Sequence, residues 1–304
     1  MKAVQLDQFG GPEHLHLADV DPPVPGAGQV RIRVRAAGVN PIDAKIRSGV
    51  LQQVFPTELP AVLGLEVAGT VDAVGADVTA VSVGDDVLGF ADGAGYAEHA
   101  LATTVAPKPA ALDWARAAAV PVAAETALRV LRQLEVTAGD TLLVHGASGA
   151  VGSMAVQLAV ARGATVIGTA SEANRAFVEG LGATALVYGE GLVDRVRAAA
   201  PQGVDAVLDT AGRGALPDSV ELRGGTSRIV TTADPAAYGL GVVFSDTAEP
   251  DAAQLAEVAA QVAEGTLRLA DPRTYDLTEA PAAHAELDSG RGRGKIVLLV
   301  GGGA

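Results

Sequence analysis

The chain has 304 residues, a formal net charge of −14, five histidines and no cysteine. That length supports two domains with a substantial core, and the missing thiols exclude disulfides, thiolate metal ligands and cysteine nucleophiles. The acidic balance, without a dense Lys/Arg cluster, makes nucleic acid and anionic membranes poor partners. Apolar runs are broken by Gly, Pro or charge well short of the ~20 residues a membrane helix needs. An acid at Asp7, where a signal peptide would be apolar, leads us to expect a cytoplasmic protein.

Along the chain, the first third reads as short strands: residues 2–5, 29–37, 66–74, 86–90 and 95–100, broken by Pro22-Pro23-x-Pro25-Gly26 and Gly84-Asp85-Asp86. From about Leu112 the apolar period becomes helical, predicting helices over 113–120 and 123–135. A regular alternation follows, with strands at 141–145, 165–169, 185–188, 205–209, 227–231 and 240–244. Helices at 151–162, 172–181, 191–199, near 215–222 and at 251–264 separate or follow them. Parallel neighbours require such crossovers, so the class is α/β with a doubly wound parallel sheet. Residues 275–277, a helix over 280–287 and residues 295–300 return to β character, which places them back in the first domain. The expected division is residues 1–118 plus 266–304 for that domain and 119–265 for the inserted α/β one.

The strand at 141–145 runs into His145-Gly146-Ala147-Ser148-Gly149-Ala150-Val151-Gly152. Its spacing, Ala147-x-Gly149-x-x-Gly152, is the dinucleotide fingerprint with the first glycine replaced by alanine. Such a turn brings backbone N–H groups and a helix N-terminus to a pyrophosphate without a Cβ in the way, so Ala147, Ser148, Gly149, Val151 and Gly152 are candidate cofactor contacts. An NAD enzyme usually places Asp or Glu at the end of the second strand to hold the ribose 2′-hydroxyl. Here Ala170-Ser171 stands there, followed by Glu172-Ala173-Asn174-Arg175. A neutral opening, a hydroxyl at Ser171 and a cation at Arg175, with Asn174 between them, suit the 2′-phosphate of NADPH. Glu172 dissents, unless it serves the dipole of the helix it opens. Asp209-Thr210-Ala211-Gly212 and Thr231-Thr232-Ala233 end strands at the edge where ligands bind in open α/β sheets.

Several motifs in order resemble the medium-chain dehydrogenases/reductases: Ala36-Ala37-Gly38-Val39-Asn40-Pro41-Ile42-Asp43, Leu63-Gly64-Leu65-Glu66-Val67-Ala68-Gly69 and Val83-Gly84-Asp85-Asp86-Val87. The cofactor turn, Leu181-Gly182-Ala183 and Gly294-Lys295-Ile296-Val297-Leu298 extend the likeness over essentially the whole chain. The branch most like it holds the zinc-independent quinone oxidoreductases and alkenal/enone reductases. The resemblance implies a Rossmann-type sheet inserted in a GroES-like catalytic domain, NADPH as cofactor, and hydride transfer to a conjugated small-molecule carbonyl. Zinc-dependent relatives have Cys in Gly-Val-Cys and His in Gly-His-Glu. Asn40 and Leu65 occupy those places here, so no zinc is expected, and the four-cysteine lobe is missing.

By the same resemblance Thr126 lies near the nicotinamide ribose, Tyr188 near the adenosine side, and Ser171 with a basic residue at the 2′-phosphate. Thr210, Thr231, Thr232 and Phe244 line the strand ends, where Phe244 walls the nicotinamide or simply packs. Asn40 can donate an amide hydrogen bond to a substrate carbonyl. Lys45 stands where quinone oxidoreductases commonly have Tyr, and Asn-Pro-x-Asp-Ala-Lys-x-Arg is more like the enone reductases. Asp43 is expected to hold its loop rather than to act as an acid. Aromatic residues are few, and with only Tyr96 near a pocket loop no stacking platform for large quinones is expected. An NAD-linked zinc-free dehydrogenase and a non-catalytic NADPH-binding sensor are the alternatives. A homodimer is expected through the apolar edge strand at 240–244, which lacks protecting charges.

Overall fold

The computed structural model describes residues 1–290 and 292–301. Residues 291 and 302–304, which the expected first domain includes, lie outside the described residues. Two compact units emerge, one of residues 1–122, 250–266 and from 270 on, the other of residues 123–249 with 267–269. The helix Ala252–Ala263 groups with the first unit, beside the strand Thr104–Pro107, whereas the sequence reading put it in the second. Its buried face of Leu255, Val258, Ala259 and Val262 is what decides its company, and periodicity alone cannot say against which sheet that face packs.

The first unit is β-rich. A seven-stranded sheet runs in the order Arg273–Asp276, Ile296–Leu299, Val30–Val39, Glu66–Val74, Asp86–Phe90 and Thr104–Pro107, with His99–Ala102 also pairing with Val30–Val39. A smaller sheet joins Lys2–Leu6 to Leu15–Asp19 and Ala61–Val62. The C-terminal strand thus returns to this unit, antiparallel to residues 36–39. Along Val30–Val39 the alternation Val30, Ile32, Val34 inward and Arg33, Arg35 outward is that of a half-buried strand. A register shift between Val34 and Ala36 ends it, and from Ala36 to Asn40 every residue is buried. The chain is thereby carried into the interior at Asn40.

A helix, Pro41–Arg47, starts there, in a segment expected to be a loop. Proline at its first position and Asp43 at its third favour helix initiation, the Asp43 carboxylate accepting the Asn40 backbone N–H at 2.8 Å. Seven residues are too few to declare themselves by period.

The second unit holds six parallel strands in the order Thr184–Val187, Thr165–Ala170, Thr141–His145, Ala206–Asp209, Ile229–Thr231 and Val243–Phe244. The chain winds outward from Thr141–His145 in one direction and then from Ala206–Asp209 in the other. The carboxyl ends of those two central strands therefore flank the switch point, where open α/β sheets bind ligands. This is the expected doubly wound sheet. Its sixth strand is shorter than expected, because Leu240 closes the helix Ala237–Leu240 and Gly241 turns the chain in left-handed backbone, φ 71°.

Candidate active site

At the switch point Gly146 adopts φ 77°, and the turn to Gly149 leads into the helix Ala150–Ala161. A Cβ on Gly152 would stand 2.2 Å from the Gly146 carbonyl oxygen, so only glycine lets the turn fold this closely on the helix. Ala147 N–H donates to the Thr169 carbonyl at 3.0 Å, fastening the turn to the second strand. The first-turn amides of Ala150, Val151 and Gly152 have no intrahelical acceptor, and no acid sits in that turn to neutralise the positive helix end. The cradle fits a pyrophosphate.

The structure brings the neighbouring candidates to the same sheet edge. Asn174 Nδ2 donates to Ser148 Oγ at 3.3 Å, linking the glycine turn to the end of the second strand. Ser171 precedes the short helical turn Glu172–Asn174, and Arg175 opens the helix Arg175–Gly180. The Arg175 guanidinium lies 3.2 Å from Glu172 and 3.6 Å from Glu179, with its side chain 42% exposed. Glu172 therefore faces Arg175 as well as opening a helical turn. Tyr188 follows the strand Thr184–Val187 and is exposed.

Across the switch point, Thr210 Oγ1 donates to the His145 carbonyl at 2.8 Å, closing the two central loops against each other. The Thr231 hydroxyl donates to Asp209 at 2.8 Å and accepts from the backbone N–H groups of Ala233 and Asp234. Thr231 is wholly buried, so its hydroxyl shapes the strand end, while the partly exposed Thr232 faces outward from the next position. Phe244 stacks on Tyr238 with centroids 5.3 Å apart. Thr126 is buried on the helix Pro121–Gln133, which Arg129 ties to Ser245, just after the sixth strand.

In the first unit Asn40 and Lys45 belong to one loop and helix, and Asn40 enters a buried polar network that sequence reasoning missed. Lys295 Nζ donates to Asn40 Oδ1 at 2.5 Å and lies 2.5 Å from Glu66 Oε1. Asn40 Nδ2 donates to the same Glu66 oxygen at 2.8 Å, and the other Glu66 oxygen accepts the Val122 N–H at 2.8 Å. The Glu66 carboxylate lies over Gly38, where a Cβ would come within 2.2 Å of it, which accounts for glycine in Gly38-Val39-Asn40.

Beyond Asn40, Asp43 also accepts the Tyr96 hydroxyl at 2.8 Å, and His284 Nε2 approaches that hydroxyl at 3.3 Å. Arg47 stands 3.1 Å from His284 Nδ1 and donates to Asp288 at 2.7 Å. Burial raises the Asp43 carboxyl to about 6, against the opposing Tyr96 hydrogen bond. Burial, reinforced by the Arg47 charge, lowers His284 to about 4. Burial and the Asp43 charge push the Tyr96 hydroxyl well above its ordinary value. Asp43 thus holds its loop as expected. Tyr96 itself is fully buried.

Residues 26–109 match the alcohol dehydrogenase GroES-like domain family, and residues 181–298 match the zinc-binding dehydrogenase family. Quinone oxidoreductase of Lama guanicoe is 36% identical over 324 residues, spanning 99% of this chain and 98% of that one. The structure of the quinone oxidoreductase from Coxiella burnetii superposes with a TM-score of 0.88 at 36% identity, covering 99% of both chains. Quinone oxidoreductase of Escherichia coli complexed with NADPH gives a TM-score of 0.87 at 26% identity, over 98% of this chain and 100% of that one. The chain belongs to the quinone oxidoreductase branch of the medium-chain dehydrogenases/reductases. It is an oxidoreductase, and its second unit is built for a nicotinamide cofactor.

Membership in a family matched as zinc-binding dehydrogenase raises the question of metal, and the residues present do not fit one. Leu65 has no donor atom, and the cation already beside Asn40 and Glu66 is the Lys295 ammonium, which would repel a divalent ion. Among the described residues no group of three or more His, Cys, Asp or Glu is placed to hold a metal ion. Among them, too, no helix is long and apolar enough to cross a membrane. Gly294-Lys295 was visible in the sequence as part of a family motif, but nothing local announced that its charge points at Asn40.

Proposed function

We propose that the chain is an NADPH-dependent reductase of quinones or α,β-unsaturated carbonyls. The observation that carries this reading is the end of the second parallel strand. Ala170-Ser171 leaves it neutral, where NAD enzymes hold a ribose with an acid, and Arg175 opens the next helix. In this reading Ala147–Gly152 bind the pyrophosphate, and Ser171, Asn174 and Arg175 bind the 2′-phosphate. Thr126, Tyr188, Thr210, Thr232 and Phe244 line the remainder, with Thr231 bracing the strand end from beneath. When bound, the nicotinamide supplies the hydride. Asn40 donates its remaining amide hydrogen to the acceptor's carbonyl oxygen, where negative charge develops as the hydride arrives. Lys45 is the second candidate for stabilising that charge. The proton that completes the reduction comes from solvent or a side chain.

Glu172 and Glu179 beside Arg175 favour a second reading, an NADH-linked dehydrogenase, because carboxylates repel a 2′-phosphate. Oxidation of NADPH and NADH at 340 nm against a panel of quinones, enals and enones decides between them. A kcat/KM ratio favouring NADPH with turnover on conjugated acceptors supports the proposal. Preference for NADH, or stoichiometric NADPH binding without turnover on any acceptor, overturns it.

We also propose a homodimer formed through the edge of the second unit's sheet. Tyr238, Leu240 and Val243 are exposed there, and the two-residue edge strand carries neither charge nor proline.

A further inference from the structure

The Lys295–Asn40–Glu66 ring is more than a buried ion pair. Ile296 pairs with Val39 in an antiparallel ladder, so the residue before one stands beside the residue after the other. Register places the Lys295 ammonium against the Asn40 amide although 255 positions separate them. Lys295 and Asn40 are only 6% and 4% exposed, and Glu66 is fully buried. An ammonium at 2.5 Å can face only the amide oxygen, and a carboxylate at 2.8 Å can face only the amide nitrogen. The two charges therefore forbid the flipped amide, which would set NH2 against ammonium and oxygen against carboxylate. One Nδ2 hydrogen remains for another acceptor. The ammonium on Oδ1 draws electron density from the amide nitrogen and makes that hydrogen a stronger donor. Glu66 serves as the counter-ion of the buried Lys295 ammonium, 2.5 Å away.

We infer that Lys295 is a positioning residue for carbonyl recognition: it orients and polarises Asn40, so that the Asn40 amide stabilises negative charge developing on the acceptor's oxygen. The inference rests on the proposal that Asn40 meets that oxygen. It assigns the cation behind the substrate contact to Lys295, which acts through Asn40 without touching substrate.

The test is a double-mutant cycle on the full chain with 1,4-benzoquinone as acceptor and saturating NADPH. Lys295→Met should lower kcat about 30-fold, the scale of a lost charge-assisted hydrogen bond. NADPH affinity, read from the fluorescence of the bound nicotinamide, should stay within about twofold of the parent, a change too small to count as a lost contact. Lys295→Gln keeps a donor for Asn40 Oδ1 without the charge and should fall between Met and the parent. It also serves if Lys295→Met proves insoluble, with a loss in kcat at unchanged NADPH affinity again expected. The loss in the Asn40→Ala, Lys295→Met double variant should not exceed that of Asn40→Ala alone, since Lys295 has then nothing to act through. If the two losses multiply, or if the Lys295 variants keep the parent kcat, the inference is wrong. Should Asn40→Ala itself leave quinone reduction unchanged, the failure lies in the assignment of Asn40 and the inference falls with it.

Discussion

Arg175 offers the sharpest test of cofactor choice. Its guanidinium, at the end of a side chain 42% exposed, is shared between Glu172 at 3.2 Å and Glu179 at 3.6 Å, so a 2′-phosphate must compete with two carboxylates. A hydrogen bond to a charged group contributes about 1.5–3 kcal/mol when well shielded. Exposure and competition reduce this to ~1–1.5 kcal/mol here, or about a 5- to 12-fold change in affinity. Arg175→Ala should therefore raise the NADPH Kd by about that factor and leave the NADH Kd unchanged. Glu172→Gln acts in the opposite sense. It frees Arg175 from an exposed pair worth only ~0.3–0.5 kcal/mol and removes a like charge beside the phosphate, tightening NADPH about two- to fivefold. Both constants come from titrations of nicotinamide fluorescence at low and at high salt, and the Arg175 effect should shrink as salt screens it. Equal weakening of NADH and NADPH in Arg175→Ala would refute the assignment, as would tighter NADH but not NADPH binding in Glu172→Gln.

Four further outcomes follow from the geometry. Gly152→Val should abolish binding of both nicotinamides while circular dichroism stays native, because its Cβ would meet the Gly146 carbonyl at 2.2 Å; retained binding would show that the turn is not the pyrophosphate site. Tyr96→Phe leaves Asp43 and His284 without their shared hydroxyl and should lower stability by about 1–3 kcal/mol, measured by urea unfolding. The pH dependence of stability is a balance of opposite slopes. Asp43, raised to about 6, loses stability as pH rises from its unfolded value of 3.8, whereas His284, lowered to about 4, loses it as pH falls from 6.5. Asp43→Asn should therefore unmask the His284 slope and widen the loss of stability between pH 6.5 and pH 4.5 by up to ~2 kcal/mol relative to the parent, with 1.36 kcal/mol per pH unit as the scale; an unchanged difference would sink the pairing. Val243→Asp should convert the proposed dimer to a monomer in light scattering, and a monomeric parent would remove the proposal.

The second unit was largely legible in the sequence because its signals are local. A strand, a glycine turn and an amphipathic helix each declare themselves within about fifteen residues, and their repetition implies a parallel sheet. The turn at 146–152 and the hydroxyl and cation at Ser171 and Arg175 follow directly from that order, and the structure places all of them at one sheet edge. Where local signals were short, reading failed. The helix Pro41–Arg47 spans fewer than two full turns, and the sixth strand has only two residues. The strand expected over 95–100 begins only at His99, and Tyr96 before it is wholly buried with its hydroxyl on Asp43.

By itself the sequence determined the class of fold, the glycine turn, the missing thiols and the replacement of zinc-ligand positions by Asn40 and Leu65. Only the tertiary structure decided what surrounds Asn40. Periodicity reports which face of an element is apolar, whereas the meeting of Lys295, Asn40 and Glu66 depends on sheet register between segments far apart in the chain. Charges buried by such pairing leave no pattern in their own neighbourhoods, because the partner that makes each burial affordable arrives from elsewhere.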